Sequence, residues 1–205
     1  MTYCAIKLNY LPMNSIVVFC GAGEGTLPIF KEQAFALGVL LAQKQIRLVY
    51  GGAKIGLMGA VAEGVLQNGG QVTGVIPSFL LTVEVAHPQL SELIEVPSMH
   101  ERKRIMHEKS DAIITLPGGF GTLEELFEML TWSQLGLHQK PIGILNTNGF
   151  YDPLLLQIQQ MQTNGFLKKE NADLIIIETN LEALLEKMST YKKPSTDLHI
   201  TSQQT

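Results

Sequence analysis

Hydrophobic positions in this chain fall into short, near-continuous runs, separated by longer stretches where they recur every three or four residues. The near-continuous runs, at 15–20, 46–50, 72–76, 93–96, 112–116, 141–145 and 174–177, are rich in valine, isoleucine and leucine. Near-continuous apolar strands of this length suit a parallel sheet covered on both faces. The periodic stretches, at 28–43, 57–67, 99–109, 123–135, 151–163 and 181–188, predict helices. The alternation predicts an α/β chain, a single Rossmann-like doubly wound domain. It would have about seven parallel strands, right-handed crossovers and helices on both faces. Residues 1–13 read as a loose lead, 14–190 as the domain, and 191–205, rich in Ser, Thr, Gln and Lys, as a polar tail.

Composition narrows the function. The 205 residues suffice for one substantial core. Net charge is −4, which supplies no basic field for nucleic acid or an acidic membrane. The apolar runs are far shorter than a membrane span. The N-terminus lacks a basic-then-apolar signal pattern, which predicts a soluble cytoplasmic protein. Cys4 and Cys20 form neither a metal-spacing motif nor a disulfide framework.

Three glycine-rich turns follow predicted strands: Cys20-Gly21-Ala22-Gly23-Glu24-Gly25-Thr26, Gly51 to Gly59, and Pro117-Gly118-Gly119-Phe120-Gly121-Thr122. At the carboxyl edge of an open α/β sheet such turns build one nucleotide-sized crevice. A strand, a glycine turn and a helix aim backbone N–H groups and a positive helix end at one spot, where a phosphate can sit. A dehydrogenase is not indicated. The first turn has glycines at 21, 23 and 25 rather than Gly-x-Gly-x-x-Gly, and the second strand ends Leu48-Val49-Tyr50 without the acidic ribose anchor. No Gly-Lys-Ser/Thr pattern follows a glycine loop.

The candidate chemistry lies in two helices. Ser98 with Glu101, and Thr122 with Glu125, both have capping-box spacing. Arg102, Lys103 and Arg104 are consecutive and cannot all face one way; they are either a solvated basic face or a source of one phosphate or ribose ligand. Glu124 can simply favour the positive helix end, and Glu125 can simply cap the helix. Alternatively, a carboxylate beside a bound phosphate stabilises the cation-like ribosyl transition state of N-glycoside cleavage and orients water. Spacing alone leaves both readings open. His100, His107 and His138 show no metal-ligand spacing and read as surface or capping groups, and Trp132 as a core or interface residue.

Pro117-Gly118-Gly119-Phe120-Gly121-Thr122-Leu123-Glu124-Glu125, with Met99-His100-Glu101-Arg102-Lys103 upstream, resembles the Lonely Guy (LOG) family of cytokinin-activating phosphoribohydrolases. The resemblance runs from about residue 15 to 188 through successive motifs, including Tyr50-Gly51-Gly52, Gly74-Val75-Ile76-Pro77, Thr131-Trp132-Ser133-Gln134 and Tyr151-Asp152-Pro153-Leu154. It implies a Rossmann-like homodimer that hydrolyses an N6-modified adenosine 5′-monophosphate to free base and ribose 5-phosphate, with no metal and no cofactor. It implies Arg102 and Glu125 as catalytic residues. The implied substrate-binding residues are Gly21, Glu84, Met99, Lys103, Gly118, Gly119, Phe120, Gly121, Thr122, Leu123, Glu124 and Thr131. Two departures stand out. Thr82-Val83-Glu84-Val85 replaces the usual Pro-Arg-Glu-Leu, and Cys20-Gly21-Ala22-Gly23 replaces Cys-Gly-Ser-Ser, which removes a hydroxyl from the first turn. A nucleotide-binding carrier without hydrolysis is the alternative reading. A pyridoxal-phosphate decarboxylase, a label this family often carries, is a third, but no lysine in the sequence is marked for a Schiff base.

Overall fold

The inner strand runs are almost wholly apolar because these strands feed two cores. Ile16, Val18, Leu48, Tyr50, Ala112 and Ile114 point into one. Val17, Phe19, Val49, Val75, Ile113 and Ile142 point into the other. The computed structural model describes residues 13–81 and 85–194. The strands are β1 (Ser15–Phe19), β2 (Arg47–Tyr50), β3 (Val72–Pro77), β4 (Glu92–Val96), β5 (Ala112–Thr115), β6 (Ile142–Leu145) and β7 (Ile175–Glu178). They form one all-parallel sheet in the order β4-β3-β2-β1-β5-β6-β7. Ile16 at its centre lies opposite Leu48 of β2 on one side and Ala112 of β5 on the other.

Helices cover both faces. The first core is closed by α1 (Pro28–Gln43) through Leu37 and Leu41, by α2 (Gly56–Leu66) through Val61 and Val65, and by α7 (Leu181–Ser189) through Leu184 and Leu185. The second is closed by α3 (Met99–Glu108) through Met106, by α4 (Phe120–Gln134) through Leu126, Met129 and Leu130, and by α5 (Asp152–Thr163) through Leu154. A short α6 (Lys169–Ala172) and two 3-10 turns, Ser78–Leu80 and Thr147–Gly149, had no periodic signal because each is too short to show one.

One boundary matters for function. Helix α4 starts at Phe120, three residues before the predicted start, with Gly119 as N-cap. The apolar period begins at Leu123, but Gly121 and Thr122 already have helical geometry. Glu124 and Glu125 are therefore in the second turn, and the first turn holds no acidic residue. The capping-box reading of Thr122 and Glu125 is thereby overturned, because Thr122 is not the N-cap.

The predicted tail is partly tied down. Lys193 Nζ donates to the carbonyls of Ser133 (2.5 Å) and His138 (3.1 Å). Residues 195–205 and nearly all of the predicted lead lie outside the described residues; Met13 packs on the first core.

Candidate active site

The chain runs outward from β1 to β4, then returns to the other side of β1 as β5. The strand order reverses there, so the turns that leave β1 and β5 part and open a crevice at their carboxyl ends. The two turns touch at their bases. Gly21 N–H donates to Pro117 O at 3.0 Å. A Cβ on Gly118 would stand 2.1 Å from Thr122 Oγ1 and 2.9 Å from the Gly21 nitrogen. Gly118 is thus required by the protein's own packing.

Gly119 and Gly121 are different. A Cβ on either would meet no atom within 4 Å, and neither has the positive φ that favours glycine. Both line a cavity of about 290 Å³ at the switch point, together with Gly21, Ala22, Thr122, Met99, Arg102 and Glu125. Among the described residues no side chain caps the start of α4. The N–H groups of its first turn therefore face the crevice without an intrahelical acceptor, a site suited to an anion.

Arg102 reaches this cavity from α3. It is 5% exposed. Nε donates to Val75 O (3.1 Å) and Nη2 to Gly51 O (2.9 Å), while Nη1 lies 3.8 Å from Met99 Sδ. Gly51 makes room for it, since a Cβ there would stand 2.1 Å from Nη2. The carbonyls thus hold the fork of the guanidinium at the sheet's carboxyl edge. Glu125 lines the same cavity, half-buried, from the second turn of α4. Burial and then the charge of Glu125 push the Cys20 thiol far above its usual range. Cys20 is thereby held as a thiol and is unsuited to act as a thiolate nucleophile.

Of the candidates, Arg102, Glu125, Met99, Gly21, Gly119, Gly121 and Thr122 line this one cavity. The other described candidates do not line this cavity. Lys103 and Glu124 are salt-bridged to each other. Phe120 is 93% exposed at the first position of α4, and Leu123 packs on the second core. Thr131 is exposed, with its hydroxyl donating to Phe127 O at 2.7 Å. Glu84 lies outside the described residues. Gly51, Met58, Leu80 and Met106 also line it; Gly51 and Met58 were visible in the second glycine turn, whereas Leu80 and Met106 had no motif to announce them. A larger cleft of about 840 Å³, between the start of α1 and α2, contains neither Arg102 nor Glu125.

Two histidines differ from their surface assignment. His138 is 7% exposed, its Nε2 donating to Met129 O (2.9 Å) and its Nδ1 accepting from Lys140 N (3.1 Å), which fixes the neutral form. His107 stacks edge-on against Trp132 and lies 4.9 Å from the His138 ring. Burial first, then neighbouring Lys140, drops His107 to about 3; burial likewise drops His138 to about 4. Among the described residues no group of three His, Cys, Asp or Glu could hold a metal ion, and no helix is long and apolar enough to cross a membrane.

Comparison with known proteins fits this geometry. A family described as "Possible lysine decarboxylase" matches residues 58–188. The chain is 46% identical over 178 residues to "Probable cytokinin riboside 5'-monophosphate phosphoribohydrolase LOGL1" of Oryza sativa subsp. japonica, covering 87% of this chain and 80% of that protein. It is 46% identical over 173 residues to the "Cytokinin riboside 5'-monophosphate phosphoribohydrolase" of Rhodococcoides fascians, covering 84% and 87%. Among solved structures, the molybdenum cofactor binding protein of Rippkaea orientalis superposes with a TM-score of 0.65 at 25% identity, covering 86% of this chain and 95% of that one. The Moco carrier protein of Chlamydomonas reinhardtii gives 0.65 at 19%, covering 86% and 98%, a likeness of fold alone.

Proposed function

Because the chain belongs to the family of the cytokinin riboside 5′-monophosphate phosphoribohydrolases, we propose that it hydrolyses the N-glycosidic bond of an N6-modified adenosine 5′-monophosphate. The products are the free base and ribose 5-phosphate. The observation that carries the reading is the shared cavity: a guanidinium, a carboxylate and an uncapped helix start around glycines whose missing side chains the fold does not require.

The 5′-phosphate sits against the N–H groups of Gly119, Gly121 and Thr122, where the helix dipole favours negative charge. Arg102, held by the carbonyls of Val75 and Gly51, presents its guanidinium to ribose or phosphate oxygens. The C1′–N9 bond breaks and its electron pair leaves with the base. The carboxylate of Glu125 stabilises the ribosyl cation and takes a proton from the water that adds to C1′; the base gains a proton in turn. Anchoring the phosphate orients the ribose beside Glu125, so binding energy distant from the reacting bond lowers its barrier.

The family's decarboxylase label would call for a lysine to hold pyridoxal phosphate as a Schiff base. Among the described residues no lysine lines the cavity, and Lys103 is held by Glu124 and Glu128. The residues present do not fit that cofactor. The chain functions as a homodimer with α3 and α4 at the interface, which light scattering tests: a monomer with full activity would refute it.

The function is tested by incubating the purified protein with AMP, N6-isopentenyl-AMP and the matching nucleosides, and following base and ribose 5-phosphate by chromatography. Equal amounts of the two products from the monophosphates, and far less from the nucleosides, are expected. AMP binding by calorimetry without base release would refute hydrolysis and favour the carrier reading.

A further inference from the structure

Arg102 and Lys103 are neighbours on α3, and Glu124 and Glu125 are neighbours on α4. Successive residues of a helix point about 100° apart. When Arg102 and Glu125 enter the cavity, Lys103 and Glu124 must therefore look elsewhere, and they meet each other. Lys103 Nζ also lies 3.0 Å from Glu128 Oε1, one turn further along α4. The Lys103 side chain is 8% exposed and that of Glu128 22%. The second oxygen of Glu128 is buried and has no hydrogen-bond partner among the described residues. Burial pulls the Lys103 ammonium down, but the two carboxylates outweigh it and hold it above the ordinary lysine value.

We propose that Lys103, Glu124 and Glu128 are positioning residues, a charge clamp that fixes α3 against α4 and so holds Arg102 and Glu125 in one cavity. The inference rests on the phosphoribohydrolase reading of that cavity. A slide of α4 along α3 would separate both pairs at once, since each pair has one member on each helix. Without Lys103, the mostly buried Glu128 carboxylate loses the ammonium that faces Oε1 while Oε2 is already without a hydrogen-bond partner among the described residues, which favours a shift of α4 that hydrates it better. The Lys103 side chain acts through the helices, without touching substrate.

The test compares wild type, Lys103→Met, Lys103→Arg and Lys103→Met/Glu128→Gln for kcat and KM of base release, with AMP affinity by calorimetry. Lys103→Met should lower kcat about tenfold or more while KM and AMP affinity stay within about threefold, because positioning is lost and contact with substrate is not. Neutralising Glu128 in that background removes the orphaned charge, so the double variant should regain about threefold or more in kcat, a coupling of the size contacting residues show. Lys103→Arg should keep over about half of kcat, since it preserves both ion pairs. A KM raised about tenfold with no recovery in the double variant would make Lys103 a substrate ligand and overturn the clamp. If Lys103→Met does not fold, the double variant and Lys103→Arg carry the comparison: near-wild-type KM in both supports the clamp, and raised KM in both overturns it. Wild-type protein that releases no base would sink the hydrolase reading. Calorimetry then judges the clamp alone, by whether AMP affinity survives Lys103→Met.

Discussion

Gly121→Ala should make the protein more stable and less active. Gly121 is the second residue of α4, where glycine costs about 0.5–1 kcal/mol relative to alanine. Its Cβ would meet nothing within 4 Å, so no clash offsets that gain. For a chain of this size, 1 kcal/mol corresponds to roughly 2–4 °C, so Tm should rise by about 1–4 °C. A helical Cβ leans toward the helix N-terminus, which here is the anion site. The methyl should therefore displace the phosphate from at least one N–H donor. A hydrogen bond to a charged group is worth about 1.5–3 kcal/mol, equivalent to about a 10- to 150-fold loss of kcat/KM. Thermal melting and steady-state base release measure the two effects on one preparation. Gly118→Ala is the control, since its methyl would press on Thr122 and on the Gly21 nitrogen; it should lower Tm. A Gly121→Ala protein that is stabilised and fully active would refute the claim that this glycine is kept for a ligand.

Gly51→Ala would place a methyl 2.1 Å from Arg102 Nη2 and should dislodge the guanidinium. Losing one of its carbonyl hydrogen bonds predicts a drop in kcat/KM of about tenfold or more, and unchanged kinetics would show that Arg102 need not be held there. His138 and His107 stay neutral in the fold down to about pH 4 and about 3, whereas unfolded histidine protonates near 6.5. Unfolding thus takes up protons below about pH 6.5, so the stability these rings contribute is whole above that pH and is lost as pH falls toward 4. The slope per buried ring is at most about 1.4 kcal/mol per pH unit, and His138→Gln should flatten Tm against pH between 6.5 and 4.5. An equally steep profile in the variant would place the proton uptake elsewhere.

The strands were legible because burial on both faces leaves few polar residues in them, as in 112–116, where Thr115 is the one polar residue among apolar neighbours. The longer helices were legible by period, except where α4 begins; the four-residue α6 was too short to show one. Phe120-Gly121-Thr122 carries no apolar period, since Phe120 is exposed and Gly121 has no side chain. That error mattered most, because it alone supported Glu125 as a cap. Spacing could not separate Lys103 from Arg102 either; both are basic and adjacent, and only the packing of α3 on α4 sends one to carboxylates and the other to carbonyls. His138 is buried on a hydrogen bond to the carbonyl of Met129 in α4, a contact that no spacing pattern reports.

The central claim is that Glu125 is a carboxylate delivered to a bound nucleotide, and not a structural group. Glu125→Gln keeps the size of the side chain and removes its charge. Calorimetry with AMP and single-turnover base release from N6-isopentenyl-AMP, on wild type and this variant side by side, test it directly. The account predicts affinity within about threefold and release slowed by about 10²- to 10⁴-fold, the range for losing a general base. Base release at the wild-type rate from Glu125→Gln would contradict it.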